Sequence, residues 1–533
     1  MKINNQLKLA AAVAAGMVLV GCGSDDDTTP SSDSFYSETV TSSSCFNADT
    51  CSASGFEFPE DAVFVAPNAS NGDDITSDLT SKIDDYIGTP NTVLVLPKGT
   101  FKINNTIGIQ NSNNLTIVGH GIRSTTLDFS DSTGEDGLNI LGGQGLVIRD
   151  LSVNEAGKNA IAAGAVTGIH FNYVGTVWDV ELTTDTESAY GIYPVNCSEV
   201  VVENSYTKGS NDAGIYVGQS NNIVVRNNVA EYNIAGIEIE NSNNADVYNN
   251  TALRNSAGLL SFDLPNLDQA AGTNTRWFNN ESYNNNTTNV GPGTVGKVPS
   301  GTGILILATD DVEIYNNNIY DNKSAAVAIT SFFIMDDGTE LDQDGNPTGF
   351  NRYEDTEAAG NYITTMLNGW APFTKNVQVH DNTLTNNSYK PDTSSLLSDA
   401  IAGYLLGLGD SGVSQNFPTV LYDGVGELQA LSGAFALLGH PAYTAGQKHC
   451  VYDNTINNPE GLTAYIGSLY DASGASGASA VLLSSTMGED ATLLNCGETP
   501  NTRLNASTAT IRGVVYGCGA GGDDESSEPA CTL

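Results

Sequence analysis

Six residues of kinds that bind or transform polar ligands recur at fixed places in a repeated phrase. Tyr193, Tyr216 and Glu238 each stand two residues after a glycine, in GIYP, GIYV and GIEI, at spacings of 23 and 22 residues. Glu240 follows Glu238 by two, Phe262 lies 22 further on, and Asp263 is next to it. Aromatic rings offer flat apolar faces to a sugar or another apolar ligand, and carboxylates beside them bind hydroxyls or move protons. A second group, Asp246, Arg276 and Glu313, shares one position of another phrase, with Tyr248 close by. A lyase or epimerase of uronate polymers needs such a set: a cation to neutralise the uronate carboxylate, a base for the C5 proton, and Tyr or His to return it. The same set also reads as a ladder of surface ion pairs between adjacent strands. His170 shares its column and His380 the neighbouring one, and both read as ordinary exposed positions.

Oxygen ligands for calcium form a third group. Asp212, Asp263, Asp310 and Asp311 sit at strand edges or turns, where Asp is also a turn former. The loop DQDGNPTG places Asp342, Asp344 and Asn346 around a glycine as a calcium loop does, but Tyr353 stands where the twelfth-position Glu belongs. Calcium is therefore the one cofactor the sequence suggests. No GxSxG, HExxH or Walker-type loop occurs, and no CxxC or CxxCH.

These residues need a scaffold that brings distant positions into register. The phrase recurs at Gly137, Ala160, Gly191, Gly214, Gly236, Gly258, Gly303 and Ala326, so a unit of 22–23 residues persists between longer steps. A second phrase follows most of them: LVIRD, IHFNY, VVVEN, IVVRN, ADVYN, VEIYN. Both alternate apolar and polar with period two, the mark of strands with one buried face. Short strands at this period, without helical stretches, predict an all-β chain folded as a single-stranded right-handed parallel β-helix, in which each coil buries its neighbours' inner faces. The fifth residues of the second phrase, Asp150, Tyr173, Asn204, Asn227, Asn249, Asn279 and Asn316, are expected to point inward as an amide ladder. With the residue after each glycine facing inward, Tyr193, Tyr216, Glu238, Leu260 and Leu305 face outward, as do Glu240, Phe262 and Leu307. Insertions at 281–302 and 331–373 either wall this stripe or cover it.

Residues 1–21 read as a signal peptide, with Lys2 and Lys8 near an apolar run too short to span a bilayer. The run ends Leu19-Val20-Gly21-Cys22, which resembles the bacterial lipobox and implies a lipid on Cys22. Gly23 follows where retention at the inner membrane would want Asp, so an outer-membrane anchor is expected. Residues 22–58 form a Ser/Thr/Asp-rich tether, 59–390 the β-helix, 391–449 a partly helical insertion or cap, and 450–533 a last coil with a Cys-containing cap. Cys45–Cys51, Cys518–Cys531 and Cys450–Cys496 are the expected disulfides, leaving Cys197 as a buried thiol.

TVLVLPKGTF (92–101) is similar to the first coils of pectin-lyase-like β-helices. The run from Ala189 to Leu267 resembles a family of bacterial right-handed parallel β-helix lipoproteins of unassigned function. That resemblance covers about residues 80–390 and 450–460 and carries no catalytic residue across. It implies a neighbouring secreted c-type-cytochrome-like protein as a partner. The WxDH, NTDG and DPHD motifs of β-helix enzymes are missing, and Gly119-His120-Gly121 reads as a tight turn.

The chain has 533 residues, 62 acidic and 20 basic, for a formal charge of −42. A field of this sign excludes passive nucleic-acid binding, which needs Lys and Arg against phosphates. With 40% apolar residues the chain is not disordered. Together these features favour a membrane-anchored module that binds a glycan or a partner protein. A uronate lyase or epimerase and a docking scaffold for the cytochrome-like protein remain as alternatives.

Overall fold

Alternation with period two puts an aliphatic side chain inside the coil at every second residue, and a parallel stack of coils buries them all. The computed structural model describes residues 58–59, 61–332, 366–367, 369–392, 418–423, 447–457, 466–468 and 502–518, all within the compact unit Ser42–Leu533. Cys22, Cys45, Cys51, the loop with Asp342, Asp344 and Asn346, and the helical stretches expected at 394–409 and 424–439 lie outside the described residues.

Each full coil carries three strands, one more than the repeat predicts. One coil consists of Ala213–Gly218, Asn221–Arg226 and Val229–Glu231, and the next of Ala235–Glu240, Asn243–Tyr248 and Thr251–Leu253. The third strand has only three residues, too few to display an alternation. All pairings in the solenoid are parallel, coil to coil. Ile215, Ile237, Leu259, Ile304 and Val327 align in one inward file, and Val225, Val247, Trp277, Ile314 and Val379 in another. These files belong to one continuous core running from Leu94 to Val420. Where a Trp enters it, the opposite file has Ser261 instead of an aliphatic residue, and Trp277 Nε1 donates to Ser261 Oγ at 3.0 Å.

The corners between strands depend on paired residues. Asn227, Asn249, Asn279 and Asn316, expected to form the inward ladder, instead have positive φ (54–57°). Asn tolerates this left-handed conformation better than most residues, and it turns the chain at the corner. The ladder is built by the residue that follows. The backbone N–H of Asn228 donates to Asn250 Oδ1 (3.0 Å), Asn250 to Asn280 (3.0 Å), Asn280 to Asn317 (2.9 Å), Asn317 to Asn382 (2.9 Å) and Asn382 to Asn454 (3.0 Å). A second ladder that the sequence reading missed, Asn233, Asn255, Asn285, Asn322 and Asn387, runs along the next corner with N···Oδ1 distances of 2.9–3.1 Å. The phrase glycine is required by close approach: a Cβ on Gly258 would lie 2.6 Å from the carbonyl oxygen of Gly303.

The N-terminal end is closed by helix α1 (Thr76–Tyr86), which buries Leu79 and Ile83 in the core. Inside the segment expected to be helical, Val420–Tyr422 is a strand that continues the first-strand file. Cys450–Tyr452 and Thr455–Asn457 extend the other two files. Cys450 and Cys518 are disulfide-bonded, and their expected partners, Cys496 and Cys531, lie outside the described residues. Cys197 is a buried free thiol, as expected.

The ladder makes a distinction between neighbouring asparagines. Asn250→Ala removes the acceptor of the Asn228 N–H and the donor to Val225 O (2.9 Å), and each buried group left unpaired costs about 1–3 kcal/mol. A loss of about 3–5 kcal/mol in urea unfolding is expected. Asn249→Ala forces only a left-handed alanine and is expected to lose about 1–2 kcal/mol. The reverse ranking would show that the ladder is misassigned.

Candidate functional site

The outward file of the first strands has the register the sequence implies. Tyr216, Glu238, Leu260 and Leu305 are cross-strand neighbours in turn, as are Glu240, Phe262 and Leu307. Tyr193 lies one coil below Tyr216, their ring centroids 4.9 Å apart. Its exposure does not match. Tyr216, Glu238, Glu240, Phe262 and Asp263 are all buried, at 4%, 2%, 8%, 1% and 2% exposure. The insertion between Glu281–Tyr283 and Thr302–Leu307 folds down as a cover, with Val290, Val295 and Val298 packed on the stripe. Asn289 Nδ2 pins it by donating to the carbonyls of Val295 (2.9 Å) and Val298 (2.8 Å). An apolar stripe of Leu260, Phe262, Leu305 and Leu307 is too continuous to leave in water.

Asp263 ties the segments around Gly272 and Trp370 to the end of its strand. Its Oδ2 accepts the Gly272 N–H at 3.1 Å and its backbone carbonyl accepts Trp370 Nε1 at 3.0 Å, and burial pushes its carboxyl well above the usual range. The other Asp residues do not gather around a cation. Asp310 pairs with Lys375 (3.3 Å), and Asp311 accepts Thr273 Oγ1 and Asn376 Nδ2. Among the described residues no group of three or more His, Cys, Asp or Glu is arranged to hold a metal ion.

The stripe stays open at one lip. Tyr190 and Tyr193 are half-buried there and stack at 4.2 Å and 9°, with Tyr216 tilted against both at 4.9 Å. Asp212 is half-buried beside them, close enough to Tyr190 for each to act on the other's titration. Underneath, Tyr216 Oη donates to Glu240 Oε1 at 2.5 Å, and the carboxyls of Glu238 and Glu240 lie close enough to act on each other. Burial and the charges of Glu240 and Asp212 raise Glu238 well above the usual range, and burial raises Glu240. Asp212 is raised to about 7, chiefly by burial, and Tyr193 to about 12, by burial and then by Glu240, Asp212 and Glu238. No Lys or Arg is among the groups whose charge acts on these three carboxyls. Tyr190 and Asp212 complete this lip, and the sequence reading did not put Tyr190 in the stripe because it precedes the phrase glycine.

The second-strand face is sealed as well. Asp246, Arg276 and Glu313 are cross-strand neighbours, but they are buried under residues 502–518 and form no surface ladder. Arg276 holds Asp246 through two hydrogen bonds, one of 2.7 Å from Nε. Tyr248 is buried, accepts from Arg226 and stacks on Phe278. Both histidines depart from their expected exposure. His170 Nε2 contacts Glu203 at 2.9 Å, and His380 bridges Glu313 (3.1 Å) and Asp381 (2.8 Å). Burial alone would raise Glu203, but the hydrogen bonds and charges of His170 and then Arg226 bring it down to about 2.

The strap that covers this face starts at Thr502, whose carbonyl accepts Gln378 Nε2. It pairs Arg503 with Glu313 and then forms an antiparallel hairpin, Ala509–Ile511 with Val514–Tyr516. Ala509 and Ile511 pack on Val147, Val201 and Val224. Arg512 and Gly513 both have positive φ, as a two-residue hairpin loop requires. That Arg-Gly pair, flanked by ATI and VVY, is the one sequence signal for the strap.

Residues 105–266 match the family model described as a right handed beta helix region. The solenoid is a right-handed parallel β-helix. None of the curated proteins compared with it matches the chain. Solved structures similar to it include the A-module of the Azotobacter vinelandii mannuronan C-5 epimerase AlgE4, at 14% identity over 74% of this chain and 94% of that one, with a TM-score of 0.41. A GH87 alpha-1,3-glucanase catalytic unit from Streptomyces thermodiastaticus strain HF3-3 is also similar, at 14% identity over 69% and 59%, TM-score 0.38.

The raised carboxyls fix the sign of the pH dependence. Asp212 (about 7) and Asp310 (about 6) keep protons in the folded β-helix at pH values where the unfolded chain has lost them. Their contribution to stability is complete below about pH 4 and is lost as pH rises through these values. Glu203, at about 2, works the other way but only in strong acid. The melting temperature is expected to be higher at about pH 5 than at about pH 8, with a smaller difference in Asp212→Asn. A melting temperature that rises over this interval would contradict the assignment.

Proposed function

We propose that this chain is an outer-membrane-anchored binding module for a glycan, gripped at the Tyr190–Tyr193 lip. The observation that carries this reading is the stacked, half-buried tyrosine pair at 4.2 Å, where the cover leaves the acidic stripe open. Aromatic side chains that are buried on one side and open on the other offer apolar area and a hydroxyl at low entropic cost. Asp212 and the half-buried Asp136, held by Asn139 (2.6 Å) and Asn159 (2.8 Å), stand beside the rings as acceptors for sugar hydroxyls. The buried residues Tyr216, Glu238, Glu240, Phe262 and Asp263 then position the lip and do not touch the ligand.

A second reading, a polysaccharide lyase or epimerase, is favoured by one observation: Asp212, which burial raises to about 7, stands beside Tyr190 at the same lip. A carboxyl poised near the working pH suits proton transfer. The set first considered for this chemistry, Arg276, Asp246, Tyr248 and Glu313, lies under the strap with its charges already paired, which removes it from substrate. Ultraviolet-absorbing unsaturated ends released from a uronate polymer, and lost in Asp212→Asn, would support a lyase over a binder.

Two measurements test the main reading. On a glycan array, Tyr193→Ala is expected to weaken the signal about tenfold or more, equivalent to about 1.4 kcal/mol, whereas Val514→Ala, exposed on the hairpin over the second-strand face, leaves it unchanged. No glycan signal from the native protein would end the reading. For the anchor, Cys22→Ala is expected to abolish lipid labelling and release the protein from the outer-membrane fraction.

A further inference from the structure

The two outer faces of the solenoid treat their carboxylates in opposite ways. On the second-strand face each buried acid has a basic partner: Glu203 has His170 and Arg226, Asp246 has Arg276, and Glu313 has His380 and Arg503. At the tyrosine lip, Asp212, Glu238 and Glu240 come together with tyrosines only. Glu238 is 2% exposed, and its Oε2 has no hydrogen-bond partner. A buried carboxyl without donor or counter-charge is costly to ionise, and a cation held at the adjoining Asp212 lowers that cost. The approach to the lip has the same sign. The loop of residues 179–189, whose Leu182 packs on the stripe, carries Glu181, Asp185 and Glu187 besides Asp179, which Lys208 pairs at 3.2 Å, and has no Lys or Arg of its own. The chain as a whole stands at −42.

We infer that the lip takes a cationic glycan, an amino sugar with a free ammonium group, the ammonium reaching Asp212 and the ring lying against Tyr190 and Tyr193. The inference rests on the glycan-binding reading and names its ligand class. An ammonium supplies the counter-charge that the three carboxyls lack, and the tyrosine faces attract it further. A polyuronate meets the opposite situation, since carboxylates would approach buried carboxylates with no cation between them. A compact metal ion needs several converging ligands, whereas an ammonium has three donors and is satisfied by one carboxylate at the mouth with a phenol oxygen beside it. Its capture displaces a proton from Asp212, because a cation beside a carboxyl favours its ionised form.

Calorimetry with three oligomers of equal length tests this: glucosamine, N-acetylglucosamine and mannuronate, at a mildly acidic pH where the glucosamine amines are charged. The glucosamine oligomer is expected to bind about tenfold tighter than its N-acetylated counterpart, and the mannuronate oligomer not at all. Asp212→Asn is expected to bring the glucosamine oligomer down to the affinity of its N-acetylated counterpart, and Tyr193→Ala to weaken both in proportion. An N-trimethylated glucosamine oligomer, whose charge does not titrate, reports the proton displaced: its heat should vary with buffer ionisation enthalpy in the native protein and not in Asp212→Asn. Equal affinity for the charged and acetylated oligomers, or binding of mannuronate, overturns the ammonium assignment and leaves glycan binding standing. Binding of none of them overturns both. The circular dichroism spectrum of each variant separates loss of binding from loss of fold.

Discussion

Coil-to-coil hydrogen bonding at the corners is the constraint on which the rest of the molecule depends. A parallel β-helix changes direction three times per turn, and at every bend backbone groups leave the strand ladders inside a dry core. The two files of inward asparagines replace those lost bonds. Each side-chain oxygen accepts the backbone N–H of the asparagine below, and each amide nitrogen donates to a carbonyl of the coil beneath, as Asn228 does to Val202 and Asn250 to Val225. The residue just before each of them makes the turn in left-handed conformation. Only with both parts in place does the register hold over many coils, so that residues 22 apart become neighbours and the tyrosines and carboxyls of the first-strand face meet.

The inner structure was readable in the sequence because period two fixes which way a side chain points. Ile215, Ile237, Leu259 and Ile304 face inward as assigned, and Tyr216, Glu238 and Leu260 form the outward file. The ladder was misplaced by one residue because consecutive pairs such as Asn227-Asn228 and Asn249-Asn250 present the same amide twice, and composition does not say which one bends. What could not be read was cover. Alternation distinguishes inside from outside but not outside from buried by something else, and the two covering segments, 284–301 and 502–518, carry no repeat and lie far along the chain from much of what they cover. For that reason Phe262, Glu238, Arg276, His170 and His380 read as surface and are not.

The two covered faces illustrate different ways of burying charge. Beneath the strap, acids and bases alternate along the stack, so desolvation is offset by ion pairs and hydrogen bonds. At the tyrosine lip, Asp212, Glu238 and Glu240 have only one another and phenols, so burial favours their protonated forms. The first arrangement consumes its own chemistry in stability. The second leaves chemistry unspent, at the place where the covering ends and the stacked rings come to the surface.

The strap also changes how the stack comes apart. A solenoid whose coils touch only their neighbours frays from its ends, one coil at a time. Here Arg512, near the end of the chain, donates to Gly145 O (2.8 Å) and Thr116 Oγ1 (2.9 Å), while Thr502, ten residues earlier, is tied to Gln378. A single short segment therefore clasps early and late coils together, like a spine across the pages of a book. Opening at either end has to detach that clasp, which makes the unravelling of a one-dimensional array a more nearly all-or-none event.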